Sequence, residues 1–277
     1  MRSRSILRTG LAVGFVVTAS FIPVHPARAN VLDDYTSPRN ADVDARGAKT
    51  IEVRAGAGSL RIEGRPGISE VHVRGTARAS SRGRLADIKL IAERRGDIVY
   101  IKSDMPDDNG TGFWNAVRGD WGNMQLDLVI EVPETVPLDV EDGSGESKFI
   151  GVGPLKLVDG SGNLEINGAK GDVSVDDGSG NMKIENVEGA VHVTDGSGEI
   201  TARNIVGDFV VEDDGSGGID VASVGGSMRV EEDGSGGIDV DRVAGDFVVG
   251  RKGSGSIRSS GVKGKIDIPE RHRRRGY

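Results

Sequence analysis

The stretch that decides the fold is Asp159-Gly160-Ser161-Gly162-Asn163-Leu164-Glu165-Ile166-Asn167-Gly168-Ala169-Lys170-Gly171-Asp172-Val173-Ser174-Val175-Asp176, followed at once by Asp177-Gly178-Ser179-Gly180. Apolar residues alternate twice within it, at Leu164 and Ile166 and again at Val173 and Val175. Alternation at period two marks a strand with one buried face, whereas a helical period would scatter these residues around an axis. The segment therefore reads as two short strands joined by a turn at Ala169 and closed by a Gly-Ser-Gly corner.

The same unit recurs on both sides. The serine of the triplet falls at Ser144, Ser161, Ser179, Ser197, Ser216, Ser235 and Ser254, in steps of 17, 18, 18, 19, 19 and 19 residues. Asp142, Asp159, Asp177, Asp195, Asp214 and Asp233 precede the first six triplets, and Lys252 precedes the seventh. The inward sets continue as Met182, Ile184, Val191, Val193 and Ile200, Ala202, Phe209, Val211, and end at Ile257, Ile266 and Ile268. A further apolar residue marks each middle turn: Ala169, Val187, Ile205, Val224, Val243 and Val262. One such unit cannot bury its own apolar face, so the units must stack. The expected fold is all-β: a β-solenoid, β-helix-like, of 17–19-residue coils with two short strands each. Seven coils spaced by ~4.8 Å would make a rod roughly 34 Å long around an aliphatic ladder. The competing geometry is a meander of antiparallel hairpins with the triplet at alternate turns.

Ahead of the repeats, residues 45–140 are strand-rich but less regular. Thr50-Ile51-Glu52-Val53, Ser59-Leu60-Arg61-Ile62 and Glu70-Val71-His72-Val73 alternate between Gly-rich turns such as Ala55-Gly56-Ala57-Gly58. Two strands flank Arg95-Gly96-Asp97 as a hairpin, and Leu126 to Val132 gives a longer strand ended by Pro133. This part is expected to cap or begin the same sheet system. Residues 141–268 form the repeat solenoid, 30–44 a mobile leader and 269–277 a basic tail. Residues 1–29 carry Arg2, Arg4 and Arg8, then an uncharged run from Thr9 to Ile22, then Ala27-Arg28-Ala29. That order reads as a secretory signal peptide, too short in its apolar part to span a bilayer. No other segment is apolar enough to cross a membrane, so the expected location is the periplasm, the outer surface or the medium.

The 277 residues contain 43 glycines and no cysteine, with 35 Lys+Arg against 43 Asp+Glu. The missing cysteine excludes disulfides, thiolate metal sites and cysteine nucleophiles. The acidic balance argues against nucleic acid as a partner, which would require a basic face. Residues 141–250 are strongly acidic, with 7 Lys+Arg against 23 Asp+Glu, while residues 251–277 reverse to nine Lys+Arg against Asp267 and Glu270.

Two groups of side chains stand out as candidates. Asp142, Asp159, Asp177, Asp195, Asp214 and Asp233 would form an acidic column at the corners, with Glu141, Asp176, Asp213 and Glu232 beside it. Like charges so close invite a hard cation such as Ca²⁺ with oxygen ligands. The simpler role is structural: each carboxylate accepts from the following backbone amides in an Asx-turn and stays solvated. No cofactor is expected, Ca²⁺ being the one ion the corners suggest. The second group is Phe113, Trp114 and Trp121 in the loop from Pro106 to Gln125, which holds both tryptophans of the chain. Large aromatics on a Gly/Asn-rich loop anchor protein and sugar contacts, or fold back to plug an open end of the core.

Catalysis finds little support in the sequence. His72, His192 and His272 are far apart with no ligand spacing, and the triplet serines do not sit in a nucleophile elbow. No catalytic residue is assigned.

The long strand Leu126-Asp127-Leu128-Val129-Ile130-Glu131-Val132-Pro133, the following Pro137-Leu138-Asp139-Val140 and units such as Ser161-Gly162-Asn163-Leu164-Glu165-Ile166 carry a resemblance. Over roughly residues 48–268 the chain resembles a family of bacterial exported β-strand-repeat domains of unknown function, catalogued as putative adhesins. That resemblance implies a β-solenoid on a cell envelope, and it brings no shared catalytic residues. The expected function is a non-catalytic envelope or surface interaction module, its partner a protein or surface glycan. The rivals are a carbohydrate-active β-helix enzyme and a purely structural protein that associates with its own copies.

Overall fold

Valine and isoleucine on alternate positions, with glycine at each interruption, produce short extended segments and almost nothing else. The computed structural model describes residues 35–106 and 124–269. Its first part contains β1 (Tyr35–Asp44), β2 (Thr50–Arg54), β3 (Leu60–Arg65), β4 (Glu70–Ala79), α1 (Arg82–Asp87), β5 (Lys89–Arg95), β6 (Ile98–Asp104) and β7 (Met124–Pro133). The repeats follow as β8 (Leu138–Asp142), β9 (Ser147–Ile150), β10 (Leu155–Asp159), β11 (Leu164–Asn167), β12 (Val173–Asp177), β13 (Met182–Val187), β14 (Val191–Asp195) and β15 (Ile200–Ile205). The last coils are β16 (Phe209–Asp214), β17 (Ile219–Val224), β18 (Met228–Ser235), β19 (Ile238–Val243), β20 (Phe247–Ser254), β21 (Ile257–Ser260) and β22 (Ile266–Asp267).

These strands form two 11-stranded sheets, ordered β1-β4-β7-β3-β9-β11-β13-β15-β17-β19-β21 and β22-β20-β18-β16-β14-β12-β10-β8-β2-β6-β5. Each coil contributes one strand to each sheet, and from β8 onward neighbouring coils pair in parallel with equivalent residues in register. Leu164 lies beside Met182, Met182 beside Ile200, and Ile200 beside Ile219. The chain is therefore a β-solenoid, and the parallel pairing excludes the antiparallel meander. The inward residues Leu164, Ile166, Val173, Val175 and their counterparts up to Val249 are buried, as are the middle-turn residues from Ala169 to Val243. Burying each such side chain contributes about 1.5–3 kcal/mol relative to leaving it in water.

The uneven steps between triplets have local causes. Between β14 and β16 the register shifts after Val193, so that Thr194 faces Asp213 and Glu212 is the extra residue. The next pair keeps Val211 beside Val230 and Asp213 beside Glu232, so the bulge is inherited coil after coil. One added residue per coil is the change from 18 to 19.

The N-terminal part belongs to the same two sheets. Strands β2 and β3 form a coil that lies between the coil β8–β9 on one side and β6–β7 on the other. The chain winds the outermost coil after the one beneath it and then returns past it. The corner of the β2–β3 coil is Gly56-Ala57-Gly58, with Ala57 bridged to Ser144 and Gly58 at φ 135, like Gly145 at φ 136. In that coil residues 55–59 join Arg54 to Leu60; in the outer coil residues 103–127 join the equivalent Lys102 and Leu128. Phe113, Trp114 and Trp121 fall within that longer connection and lie outside the described residues.

Two expectations need correction. Residues 35–44 are not part of a mobile leader but form β1, an antiparallel edge strand on β4. Ala41 and Val43 face inward, and Arg39 donates to the carbonyls of Leu85 and Ile88, fixing the strand to α1. β4 runs on from Val73 to Ala79 because it pairs along its length with β1 and over His72–Ala79 with β7. At the other end Ile266 and Ile268 are 47% and 40% exposed, since no further described coil covers them.

Corner glycines are the tightest contacts in the stack. Gly217 has φ 146, and a Cβ placed there would lie 1.5 Å from the carbonyl oxygen of Gly198 in the preceding coil. At the adjacent Gly218 the nearest obstacle to a Cβ is 4.0 Å away. Gly217→Ala is expected to lower stability in urea by at least ~2 kcal/mol, and Gly218→Ala by far less. Equal effects of the two substitutions would show that the corners are not in contact.

Candidate functional site

Each repeat's second strand alternates inward and outward, and the aspartate before the triplet falls on the inward beat. Strand β10 shows it plainly: Leu155, Leu157 and Asp159 are buried while Lys156 and Val158 are not. In the 19-residue coils the bulge at Glu212 restores the parity, so Asp214 also turns in. Asp142, Asp159, Asp177, Asp195, Asp214 and Asp233 stand beside one another in register, and Lys252 follows Asp233. All six aspartates are 0–5% exposed. The sequence reading placed these carboxylates on a solvated corner; the structure puts them inside it, because their spacing from the preceding valines is even. Glu141, Asp176, Asp213 and Glu232 do lie outside the column on the exposed side.

Donors reach this column at few points. Ser147 Oγ donates to Asp142 Oδ2 at 2.5 Å. The Ser179 and Ser197 amides donate to Oδ1 of Asp177 and Asp195 at 3.1 and 3.0 Å, the expected Asx-turns. At the far end Lys252 Nζ donates to Asp233 Oδ2 at 2.7 Å and to the carbonyls of Gly236 and Ser254 at 2.7 and 2.8 Å. Its side chain is 6% exposed and that of Asp233 is 0%. The remaining oxygens of Asp142, Asp177, Asp195 and Asp233, and both oxygens of Asp159 and Asp214, have no partner.

Burial disfavours an unpaired carboxylate, and a second carboxylate nearby disfavours it further. Burial first, and then Asp142 and Asp177, push Asp159 up to about 6 against the nearby Ser161 amide. Asp195 rises to about 6 through burial and Asp177, and Asp214 to about 7 through burial, Asp233 and Asp195. Asp142 and Asp177 are also raised by burial, opposed by Ser147 and by the Ser179 amide respectively.

The middle turns solve the same stacking problem with amides. Asn186 donates to Asn167 at 2.9 Å and Asn204 donates to Asn186 at 3.0 Å, with Asn186 and Asn204 in the left-handed region. An amide both donates and accepts, so it can stack on itself; a carboxylate only accepts. Below this ladder Asn204, Val206, Ser223, Arg242 and Lys263 line an open groove of about 500 Å³.

The two described histidines stay apart. His72 pairs with Asp42 at 2.9 Å on one sheet, while His192 lies 3.9 Å from Glu212 on the other. Among the described residues no group of three or more histidine and acidic side chains converges as a metal cage. No described helix is long and apolar enough to cross a membrane.

A two-sheet parallel β-solenoid with glycine corners and a single file of inward acids defines the structural class. Within that class the chain belongs to the Toastrack DUF4097 family, whose model matches residues 43–267. No curated protein matches it significantly. Among solved structures it is similar to a putative lipid binding protein from Parabacteroides distasonis, at 16% identity and a TM-score of 0.47 over 85% of this chain and 97% of that one. A putative cell adhesion protein from Clostridium sporogenes aligns at 12% identity and a TM-score of 0.31, over 86% and 100% of the two chains. A putative adhesin from Bacteroides fragilis aligns at 11% and 0.36, over 84% and 97%.

Because Lys252 neutralises Asp233 where no water reaches, its loss should leave a bare buried charge. Lys252→Met is expected to cost about 3–5 kcal/mol near neutral pH in a urea titration. The control Arg251→Met removes a neighbouring but exposed pair with Glu232 and should cost no more than about 1 kcal/mol. Matching losses in the two variants would refute the neutralising role.

Proposed function

We propose that the chain is an exported, non-catalytic interaction module of the bacterial cell envelope, whose mechanism is display from a rigid rod. The observation that carries this reading is the division of its polar groups between inside and outside. The acids whose pKa is raised, Asp142, Asp159, Asp177, Asp195 and Asp214, are sealed within the corners and out of reach of a substrate. The outward side chains instead form rows repeated from coil to coil, neutralising one another across tiers. Lys148 pairs with Glu165, Arg203 with Asp220 and Arg258 with Asp239. Parallel backbone bonding along both sheets fixes those rows in place, which suits contact with an extended partner rather than chemistry on a small one.

The partner fitting this surface is a protein or glycan of the envelope. The aromatic segment between β6 and β7 is its contact in this reading, since Phe113, Trp114 and Trp121 on a Gly/Asn-rich connection are side chains that anchor such contacts. A pull-down from envelope extract with the full chain, followed by measured binding of the captured species, provides the test. Trp114→Ala and Trp121→Ala are expected to abolish capture while leaving the thermal midpoint unchanged. Retained capture with a lowered midpoint would make the loop a plug for the core. Loss of viscosity when polysaccharide is incubated with the wild-type chain would overturn the non-catalytic reading.

A further inference from the structure

We propose that the aspartate column is a proton-binding site, in which Asp159 and Asp214 enter the fold as carboxylic acids and donate their protons to aspartates one coil away. The pattern of donors assigns these two positions. Asp142, Asp177, Asp195 and Asp233 each have one oxygen anchored, by Ser147 Oγ, the Ser179 amide, the Ser197 amide and Lys252 Nζ respectively. Each has its other oxygen buried and unpartnered. Asp159 stands between Asp142 and Asp177, and Asp214 between Asp195 and Asp233. Neither accepts a well-formed hydrogen bond on either oxygen, although the amides of Ser161 and Ser216 lie close enough to oppose part of the rise. The column is thus two triads, each with anchored carboxylates outside and a bare one in the middle. A proton on the middle member, taken from solvent as the chain folds, turns an acceptor into an O–H donor facing a free acceptor. Carboxyl–carboxylate hydrogen bonds of this kind are short and strong.

Among the described residues nothing else packed around the column supplies that charge. Its own strands bring the six aspartates and Lys252. The first inward residues after each corner are Ser147, then the apolar Leu164, Met182, Ile200, Ile219 and Ile238. At the N-terminal side the row continues from Asp142 into Ala55 of the β2–β3 coil, which carries no charge. Among the acids beside the column, Glu141 is engaged by Arg54 and Glu232 by Arg251, while Asp176 and Asp213 add only negative charge. A metal ion fits less well. The carboxylates stand in single file rather than converging, and the corner glycines leave no gap between tiers for a hydrated ion.

The proposal fixes the sign of the pH dependence. The raised values of Asp159 and Asp214, with Asp195 raised in the same sense, mean the folded state holds protons that the unfolded chain releases above its ordinary carboxylate range, near 3.8. Stability is then fully present below that range and is lost as pH rises through about 6 to about 7. Each retained proton makes the unfolding constant rise tenfold per pH unit, so two protons give about a hundredfold.

Infrared spectra of the intact chain at about pH 6, where exposed carboxyls are ionised, provide the direct test. The wild type should show the protonated-carboxyl stretch, weakened in Asp159→Asn and in Asp214→Asn and weakest in the double variant. Urea midpoints from about pH 5 to about pH 8 should fall for the wild type. The double variant, whose amides mimic the protonated acids, should fall less steeply and exceed the wild type at the alkaline end. If the double variant does not fold, the wild-type spectrum and slope decide alone. Carboxylate bands only, or a midpoint that is flat or rising with pH, would overturn the proposal. So would a wild-type midpoint restored at about pH 8 by Ca²⁺ or K⁺, which would make the column a cation site.

Discussion

Everything in this molecule follows from one contact: the glycine carbonyl of each corner rests against the next corner's glycine, with no room for a Cβ between them. That contact lets two sheets of short parallel strands continue without a break from coil to coil. It holds equivalent residues beside one another at the spacing of a β-ladder. The glycine content is therefore a packing requirement at fixed positions. It accounts for a chain so rich in glycine that still forms an ordered rod without disulfides.

Stacking like on like magnifies whatever the unit contains. Valines and isoleucines on the inward beat become a continuous aliphatic spine. Asparagines in the middle turns become a ladder in which each amide donates to its neighbour. Aspartates on the same inward beat become a file of acceptors facing acceptors, which the bare fold cannot satisfy. The sequence relieves that file locally: Ala55 ends it in the coil above, Ser147 donates at its first member and Lys252 places a cation at its last. The two positions left without a well-formed hydrogen bond are the ones where protons are required. The acidic corners thus contribute to the interior, while the outward rows carry the surface through which the module meets its partner.

Much of this was legible in the sequence. The repeat, the two strands per coil, the inward residues from Leu164 to Val249 and the apolar middle turns all follow from a period of two between fixed triplets. What escaped has particular causes. The corner at Gly56-Ala57-Gly58 carries alanine in place of serine and lacks the aspartate, so a search for the triplet passes over it. The placement of β2–β3 between β6–β7 and β8–β9 is a matter of long-range pairing, on which local pattern is silent. Strand β1 has only Ala41 and Val43 as inward apolar residues, and α1 is a six-residue helix capped by Ser81. The aspartates looked solvated because charge suggests exposure, yet their even spacing from Leu157 or Val175 already put them on the buried face. Parity was the better guide than polarity. The bulge at Glu212 conceals that parity in the 19-residue coils, where the step to Asp214 appears odd.

The central claim is that successive Gly-Ser-Gly corners lie directly over one another. The chain has no cysteine, so Ser161→Cys and Ser254→Cys can carry a pair of spin labels without interference. Those two corners are five coils apart, and stacked coils place their backbones about 24 Å from each other. A dipolar distance distribution centred near that value is the predicted result. A meander with two strands per unit would separate them by about 48 Å, and a distribution centred there would contradict the account.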